Sequence, residues 1–181
     1  KISTGTKVSK IESLKTKVKV HTERKGKKEI LEGDLALLAV GVTGNIEYLG
    51  LEELGIKTNG GTININEFNQ TNIPTIYAIG DVSGPPWLAH VASAQGQVAA
   101  DHTAGHSPKL VDYTNIPGCT YCQPQVGSLG MTEAQAKESG HDVKIGKFLF
   151  QASGKAMAVG DTTGFVKLVF DGKYGELLGA H

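Results

Sequence analysis

The stretch Thr71–Gly105, TNIPTIYAIGDVSGPPWLAHVASAQGQVAADHTAG, decides the fold. Within it, Thr75–Ile79 is a short apolar run rich in β-forming residues and closed by Gly80-Asp81, which predicts a strand. Pro85-Pro86 ends the following loop, and small and apolar residues then recur at helical spacing over Trp87–Ala104. The stretch therefore predicts a strand, a loop and a helix in succession, as in an α/β protein.

The acidic residue at the end of this predicted strand is a candidate ligand-binding group. The strand would carry Asp81 to the carboxyl edge of a sheet, where open α/β sheets bind ligands, and Gly80 would allow close approach of the main chain. An aspartate there can accept hydrogen bonds from sugar or ribityl hydroxyls. The helix start that follows offers free amide donors and a partial positive charge, which stabilise a ring that becomes anionic. The alternative is an ordinary strand-to-loop turn with an exposed acid.

The composition is that of a globular chain. Hydrophobic residues make up 39% and charged residues 20% of the 181 residues, and the 24 glycines show no triplet period, which excludes collagen. The longest apolar run, Leu35–Val40, is far shorter than the roughly 20 residues of a membrane-spanning helix, and no signal-peptide pattern is present. These features argue against a transmembrane, secreted or disulfide-scaffold protein. They predict a cytoplasmic protein with no membrane partner.

Positive charge is concentrated at the beginning of the chain. Residues 1–28 hold ten of the 18 basic residues, with Glu12 and Glu23 as the only acids. The lysines alternate with Val18 and Val20, as on the solvated face of a strand. The chain has a single arginine, the residue that most often reads bases and phosphates. We therefore expect a solvated strand face and no nucleic-acid partner.

The first part of the chain predicts strands and one short helix. Lys15–Thr22 alternates polar and apolar residues, and Glu29–Glu32 follows after a turn, which predicts a hairpin. Leu35–Val40 is a continuous apolar run closed by Gly41, which favours a strand buried on both faces. Ile46–Leu54 predicts a short helix.

A second structural unit is predicted to begin near Tyr113, after a linker at Gly105–Asp112. Thr132 and Gln135 form a capping-box pattern at the start of a helix. Apolar alternation then predicts four strands, at Asp142–Phe150, Ala156–Val159, Gly164–Phe170 and Leu177-Leu178. Because the chain ends at His181 directly after a strand-like segment, we expect it to be part of a longer polypeptide.

The pair Cys119-Thr-Tyr-Cys122 allows three interpretations: a redox dithiol, half of a zinc site, or two structural thiols. Zinc would need two further ligands at a fitting spacing, which the sequence does not offer. A redox dithiol needs a helix start directly after the first cysteine, whereas Pro124 and its neighbours indicate a strand. We therefore expect two buried small hydrophobes and no metal site.

The quoted motifs resemble those of a known family. Thr71–Gly105 resembles the second flavin-binding motif of the pyridine-nucleotide disulfide oxidoreductases, and Leu88-Ala89-His90 before a glycine-bearing helix is most similar to the dihydrolipoamide dehydrogenases. Leu37–Gly41 resembles the end of that family's NAD domain. Ile116–His181 is similar to the first half of its dimerisation domain. The resemblance covers essentially the whole chain.

The resemblance implies an α/β to α+β fold in three parts. Residues 1–45 would end a Rossmann-like NAD(P)-binding domain, 46–110 would be the returning segment of the FAD-binding domain, and 111–181 would begin an incomplete dimerisation domain. It further implies a homodimeric, FAD- and NAD-dependent oxidoreductase of cell redox homeostasis, which reoxidises protein-bound dihydrolipoamide. Its partners would be a lipoyl-bearing protein and other components of a 2-oxo acid dehydrogenase complex.

The resemblance also assigns roles to individual residues. Asp81, beside Gly80, would hold the ribityl chain of FAD, and Gly41 would lie beside the NAD pocket. The main chain at the helix start would lie under the pyrimidine end of the flavin, through Trp87, Leu88, Ala89 and His90. In the family, the residue at the position of His90 contacts the flavin. The alternative is that His90 acts as a catalytic base.

Several family features have no counterpart in this sequence. No GxGxxG follows a strand, and the redox disulfide and the proton-relaying His–Glu pair are absent, so we predict no catalytic residue in this segment and no turnover by the chain alone. Val42–Asn45 replaces an Arg-x-Pro-Asn-like continuation, and Gln95-Gly96 replaces a common Glu-Gly. Two alternatives stay open: a non-catalytic dimerisation module that pairs through Tyr113–His181, and a segment of a glutathione or mercuric reductase.

Overall fold

The computed structural model describes residues 2–181, which form two compact units that divide between Val42 and Thr43. Each unit has its own sheet or sheets, and every strand pair in the described residues is antiparallel. No helix within residues 2–181 combines the length and the apolar character needed to cross a membrane.

The first unit is a three-stranded meander, β1 (Lys7–Ser13), β2 (Val18–Arg24) and β3 (Lys27–Gly33), in that order. The predicted hairpin is confirmed as β2–β3. Its two-residue turn, Lys25-Gly26, has φ values of 50° and 78°, which match the right-handed twist of the flanking strands. Strand β1 was not predicted, because its side chains are nearly all exposed and its sequence has only a weak apolar pattern.

The predicted buried strand at Leu35–Val40 is wrong. These residues form no strand, and Leu35 and Leu37 are 84% and 88% exposed. A strand buried on both faces needs neighbouring strands for its backbone and cover for both sides. In the described part of this unit the three strands pair with one another, so the apolar run has neither.

The second unit begins with turns instead of the helix predicted at Ile46–Leu54. Tyr48, Gly50 and Gly55 have φ values of 62°, 68° and 67°, and such left-handed residues interrupt a right-handed helix. A short hairpin follows, formed by β4 (Thr58–Asn59) and β5 (Thr62–Ile63).

The strand predicted at Thr75–Ile79 is also wrong, because only Tyr77 pairs, in an isolated bridge to Gln70. The apolar side chains of the segment are nevertheless used. Ala78 is buried in the core of this region, and Ile76 packs against it; the other buried members are Leu51, Ile56 and Ile63.

Helix α1 (Ala89–Thr103) confirms the helix predicted over Trp87–Ala104. Its buried side chains, Val91, Gln95 and Val98, recur at the helical spacing read from the sequence. Gly96 lies where an added Cβ would come within 3.4 Å of the Ile79 side chain. The group that packs close to this helical glycine is therefore a side chain of the preceding segment.

The remainder of the second unit is a five-stranded antiparallel sheet with the order β6-β7-β10-β9-β8. Its strands are β6 (Gly118–Thr120), β7 (Val126–Gly130), β8 (Val143–Leu149), β9 (Phe165–Asp171) and β10 (Leu177–Ala180). The strands predicted at Asp142–Phe150, Gly164–Phe170 and Leu177-Leu178 are thereby confirmed.

Two short helices accompany this sheet. Helix α2 (Glu133–Glu138) begins with the capping box predicted from Thr132 and Gln135. The strand predicted at Ala156–Val159 is wrong, because these residues belong to helix α3 (Gly154–Val159). The Ser153 side chain accepts a hydrogen bond from the Ala156 amide and caps this helix.

An ion-pair cluster joins α2 to the sheet. The two carboxylate oxygens of Glu133 each lie 2.6 Å from a lysine Nζ, that of Lys137 on α2 and that of Lys167 on β9. Hydrogen bonds from Lys137 and then Lys167, together with their charges, lower the pKa of Glu133 to about 2.

The expectation of two buried thiols is wrong, because Cys119 and Cys122 are both exposed. Cys119 lies on β6, which is an edge strand and has a neighbour on one side only. Cys122 follows in a bend, with its Sγ 2.8 Å from the Pro124 carbonyl oxygen. No helix begins directly after either cysteine, and residues 2–181 contain no group of three or more His, Cys, Asp or Glu side chains placed to hold a metal ion.

Candidate functional site

The candidate site is built around Gly80 and its contact with α1. Residues Gly80–Ser83 form a single 3-10 turn, and Gly80 has φ 75°, a left-handed value that favours glycine. A Cβ at this position would lie 3.3 Å from the Ala92 Cβ. The absence of a side chain therefore lets the turn lie against the first turns of the helix.

Asp81 follows Gly80 and presents its side chain at the surface. It is exposed, and its backbone carbonyl accepts a hydrogen bond from the Gly84 amide at 3.2 Å. Within residues 2–181 its carboxylate has no hydrogen-bond or ion-pair partner. The carboxylate is thus available to a ligand that supplies hydroxyl donors.

A second glycine, Gly44, packs closely against the turn, although it was not predicted as a site residue. Gly44 is buried, and a Cβ there would lie 2.8 Å from the Gly61 carbonyl oxygen and 3.2 Å from the Val82 Cα. The backbones of three segments therefore meet at Gly44. In the sequence, Gly44 lies within Val42–Asn45, the segment that differs from the Arg-x-Pro-Asn-like pattern of the family. That pattern has a larger residue at this position.

The start of α1 is open to an anionic group. Its N-cap residue, Leu88, provides no side-chain hydrogen bond, and the first turn contains no acidic residue. Trp87, Ala89 and His90 are exposed, and Leu88 is half-buried. Uncapped amides at a helix start carry a partial positive charge, so this end can stabilise negative charge on a ligand.

A buried amide links the turn to the helix. Gln95 is 3% exposed, and its Oε1 accepts a hydrogen bond from the Gly80 amide at 2.7 Å. Its Nε2 donates to the Tyr113 hydroxyl at 2.8 Å. In the sequence, Gln95 differed from the family pattern, and neither Gln95 nor Tyr113 was predicted as a site residue. The available signal was a glutamine within the apolar stripe of a helix, since a buried polar group requires partners.

The structure thus brings six of the predicted site residues together on one pair of elements. Gly80 and Asp81 lie on the turn, which packs against α1, and the other four lie at or just before the start of that helix. Gly41, the seventh, belongs to the first unit, where it is exposed and has φ 105°.

Two protein-family descriptions match the chain. Residues 1–96 match "Pyridine nucleotide-disulphide oxidoreductase", and residues 116–181 match "Pyridine nucleotide-disulphide oxidoreductase, dimerisation domain". These matches confirm the predicted α/β to α+β fold class, with part of a dinucleotide-binding region and part of a dimerisation domain.

Similar proteins carry the name dihydrolipoyl dehydrogenase. That of Rhizobium etli is 50% identical over the whole chain, which covers 38% of the relative, and that of Mycobacterium leprae is 48% identical, with 39% of the relative covered. The chain therefore spans about two fifths of the length of these relatives.

Solved structures share the fold. The HOCl-induced flavoprotein disulfide reductase RclA of Escherichia coli matches 96% of the chain and 40% of its own length, with a TM-score of 0.84 and 28% identity. LpdA of Mycobacterium tuberculosis matches 97% of the chain and 38% of its own length, with a TM-score of 0.85. At 23% identity the second match supports the fold alone.

Proposed function

Because the chain belongs to the pyridine nucleotide-disulphide oxidoreductase family, we propose that it is part of a dihydrolipoyl dehydrogenase. This enzyme reoxidises protein-bound dihydrolipoamide and passes the electrons through FAD to NAD⁺. Relatives of that name match the whole chain. The observation that carries the proposal is the packing of the Gly80–Asp81 turn on the first turns of α1, with the Asp81 carboxylate unpartnered in the described residues.

The chemistry of Asp81 fits one part of FAD. Its exposed carboxylate is an acceptor-only group when ionised, and the ribityl chain of FAD offers hydroxyl donors. Hydrogen bonds to a charged acceptor are among the stronger ones in proteins. We therefore assign Asp81 to the ribityl chain, and the left-handed Gly80 lets the turn that carries Asp81 pack against the helix.

The start of α1 fits the other end of the flavin. The main chain at Trp87, Leu88, Ala89 and His90 would contact the pyrimidine portion, where negative charge develops when a flavin is reduced. An uncapped helix start without acidic residues stabilises that charge. In this proposal His90 helps to position the flavin and does not transfer a proton.

Bound FAD supplies the two-electron chemistry between dithiol and NAD⁺. The residues of this chain bind and orient the cofactor, and none of them is assigned a catalytic step. Gly41 contributes to the NAD pocket through its exposed backbone.

We propose that the chain contributes to three domains, divided as predicted from the sequence. Residues 1–45 complete the NAD-binding domain, 46–110 return to the FAD-binding domain, and 111–181 begin the dimerisation domain. We propose that the enzyme is a homodimer in the cytoplasm. A lipoyl-bearing protein of a 2-oxo acid dehydrogenase complex is its substrate partner.

The proposal is tested on the full-length polypeptide that contains this chain. We expect visible flavin absorbance in the purified protein and reduction of NAD⁺ with dihydrolipoamide as donor, and no turnover by residues 1–181 alone. Asp81→Ala should lose flavin, whereas Asp101→Ala, near the other end of α1, should retain it. A protein that dimerises without flavin would support the dimerisation module instead, and preference for glutathione disulfide or Hg²⁺ would support a related reductase.

A further inference from the structure

Gln95 is a polar residue in the buried stripe of α1. Its neighbours along that stripe, Val91 and Val98, are 2% and 3% exposed, and Gln95 itself is 3% exposed. Burial of an amide without hydrogen bonds destabilises a protein, so a glutamine in this place needs a donor and an acceptor.

The structure supplies both, on different segments of the chain. The side-chain oxygen of Gln95 accepts from the Gly80 amide at 2.7 Å, and its Nε2 donates to the Tyr113 hydroxyl at 2.8 Å. Its backbone carbonyl also accepts from Asn69 Nδ2 at 3.1 Å. Asn69 is 1% exposed, and its own carbonyl accepts from the Ala78 amide at 3.0 Å. The segment that leads into Gly80 is therefore held at two points.

Tyr113 connects this amide to the five-stranded sheet. It begins a 3-10 turn, Tyr113–Asn115, whose N-cap Asp112 accepts from the Thr114 amide at 2.9 Å. This turn contacts β7. The Gln95 side chain therefore lies between the candidate flavin turn and the start of the region that matches the dimerisation domain.

We propose that Gln95 is a positioning residue for the flavin: it fixes the Gly80–Asp81 turn by joining the Gly80 amide to the Tyr113 hydroxyl. This inference rests on the proposed function, because the turn is the proposed flavin site. The position of the Asp81 carboxylate then depends on how Tyr113 is held against the sheet. A dinucleotide cofactor is thereby bound more tightly when the dimerisation region is in place.

A Gln95→Glu variant replaces the side-chain amide with a carboxylate of the same shape, which differs from it in charge. Gln95→Glu keeps an oxygen for the Gly80 amide, and its second oxygen can accept from the Tyr113 hydroxyl, so the turn keeps its position. The variant adds negative charge in a buried place close to the proposed flavin. Negative charge opposes reduction of the flavin to its anionic form, so the midpoint potential should fall while FAD affinity stays close to wild type.

The test uses the full-length flavoprotein and measures FAD dissociation by flavin fluorescence, with urea unfolding of each apoprotein alongside. Gln95→Met keeps the length of the side chain and removes both hydrogen bonds, and we expect it to weaken FAD binding about tenfold. Gln97→Met is the matched control, because Gln97 is exposed on the same helix and, within residues 2–181, its side chain bonds only Asp101. It should leave FAD affinity unchanged.

Tyr113→Phe keeps the ring and removes only the hydroxyl, so it provides a test that does not depend on the Gln95→Met variant folding. We expect a smaller loss of FAD affinity, and the double variant should lose no more than Gln95→Met alone, since both changes break one chain of bonds. Additive losses, or equal FAD affinity of Gln95→Met and Gln97→Met, would overturn the assignment while leaving the flavin site in place. A wild-type protein that binds no FAD would overturn the proposed function and this inference with it.

Discussion

Replacing Gly80 with alanine tests the packing that places Asp81 beside α1. An alanine at φ 75° takes a left-handed conformation, which costs about 1–2 kcal/mol in the free energy of unfolding. Its Cβ would also lie 3.3 Å from that of Ala92, a contact tighter than most, so the turn or the helix must move by a few tenths of an ångström. We expect Gly80→Ala to show both the conformational cost and the cost of this steric contact.

Gly105→Ala separates these two effects. Gly105 has φ 79°, close to that of Gly80, but a Cβ there would have no neighbour within 4 Å. Gly105→Ala should therefore show the conformational cost alone. Gly80→Ala should show about 1 kcal/mol more in the free energy of unfolding. Displacement of the turn should also lower FAD affinity about tenfold or more, because a hydrogen bond to a charged carboxylate is weakened.

The assay combines urea unfolding with FAD titration of the full-length protein. Gly80→Ala/Ala92→Gly removes the neighbouring Cβ, so it should recover most of the lost FAD affinity even though glycine within a helix lowers stability. If Gly80→Ala and Gly105→Ala behave alike in both measurements, the close approach at Gly80 has no role and the reasoning fails.

Two further predictions concern the five-stranded part of the chain. Because hydrogen bonds from Lys137 and Lys167 lower the pKa of Glu133 from 4.5 to about 2, its contribution to stability is full above pH 4.5 and is lost as the pH falls towards 2. Glu133→Gln should remove that part of the pH dependence of urea unfolding, and an unchanged profile would contradict the ion-pair cluster. Because Cys119 and Cys122 are exposed, both should react with an aromatic disulfide reagent in the native protein. Reaction only after denaturation would show that they are covered.

Features that depend on neighbouring residues were predictable from the sequence. The capping box of Thr132 and Gln135 lies within four residues and was found at the expected place. The apolar spacing of α1 also identified its buried face. Ser153 carried a similar local signal for α3, but the apolar run Ala156–Val159 was interpreted as a strand because it is too short to show a period.

Features that depend on distant partners were not predictable. Leu35–Val40 has the composition of a buried strand, yet whether it becomes one is decided by strands that pair with it. Thr75–Ile79 likewise contributes to the core as an irregular segment with one bridge. The link from Gln95 to Tyr113 spans 18 residues and depends on the folded path between them.

The candidate site was predicted in part for the same reason. A short motif is sufficient to place Asp81 next to a helix start, because the strand-like segment, the loop and the helix are consecutive. The supporting contacts at Gly44 come from a hairpin and a turn elsewhere in the chain. Such contacts require the fold.

The most direct test is the structure of the full-length protein with FAD bound, in which the distance from the Asp81 carboxylate to the ribityl chain is measured. We expect a carboxylate oxygen of Asp81 within hydrogen-bonding reach of a ribityl hydroxyl, with the pyrimidine edge at the first amides of α1. A flavin bound elsewhere, with the Asp81 carboxylate facing only water, would contradict it.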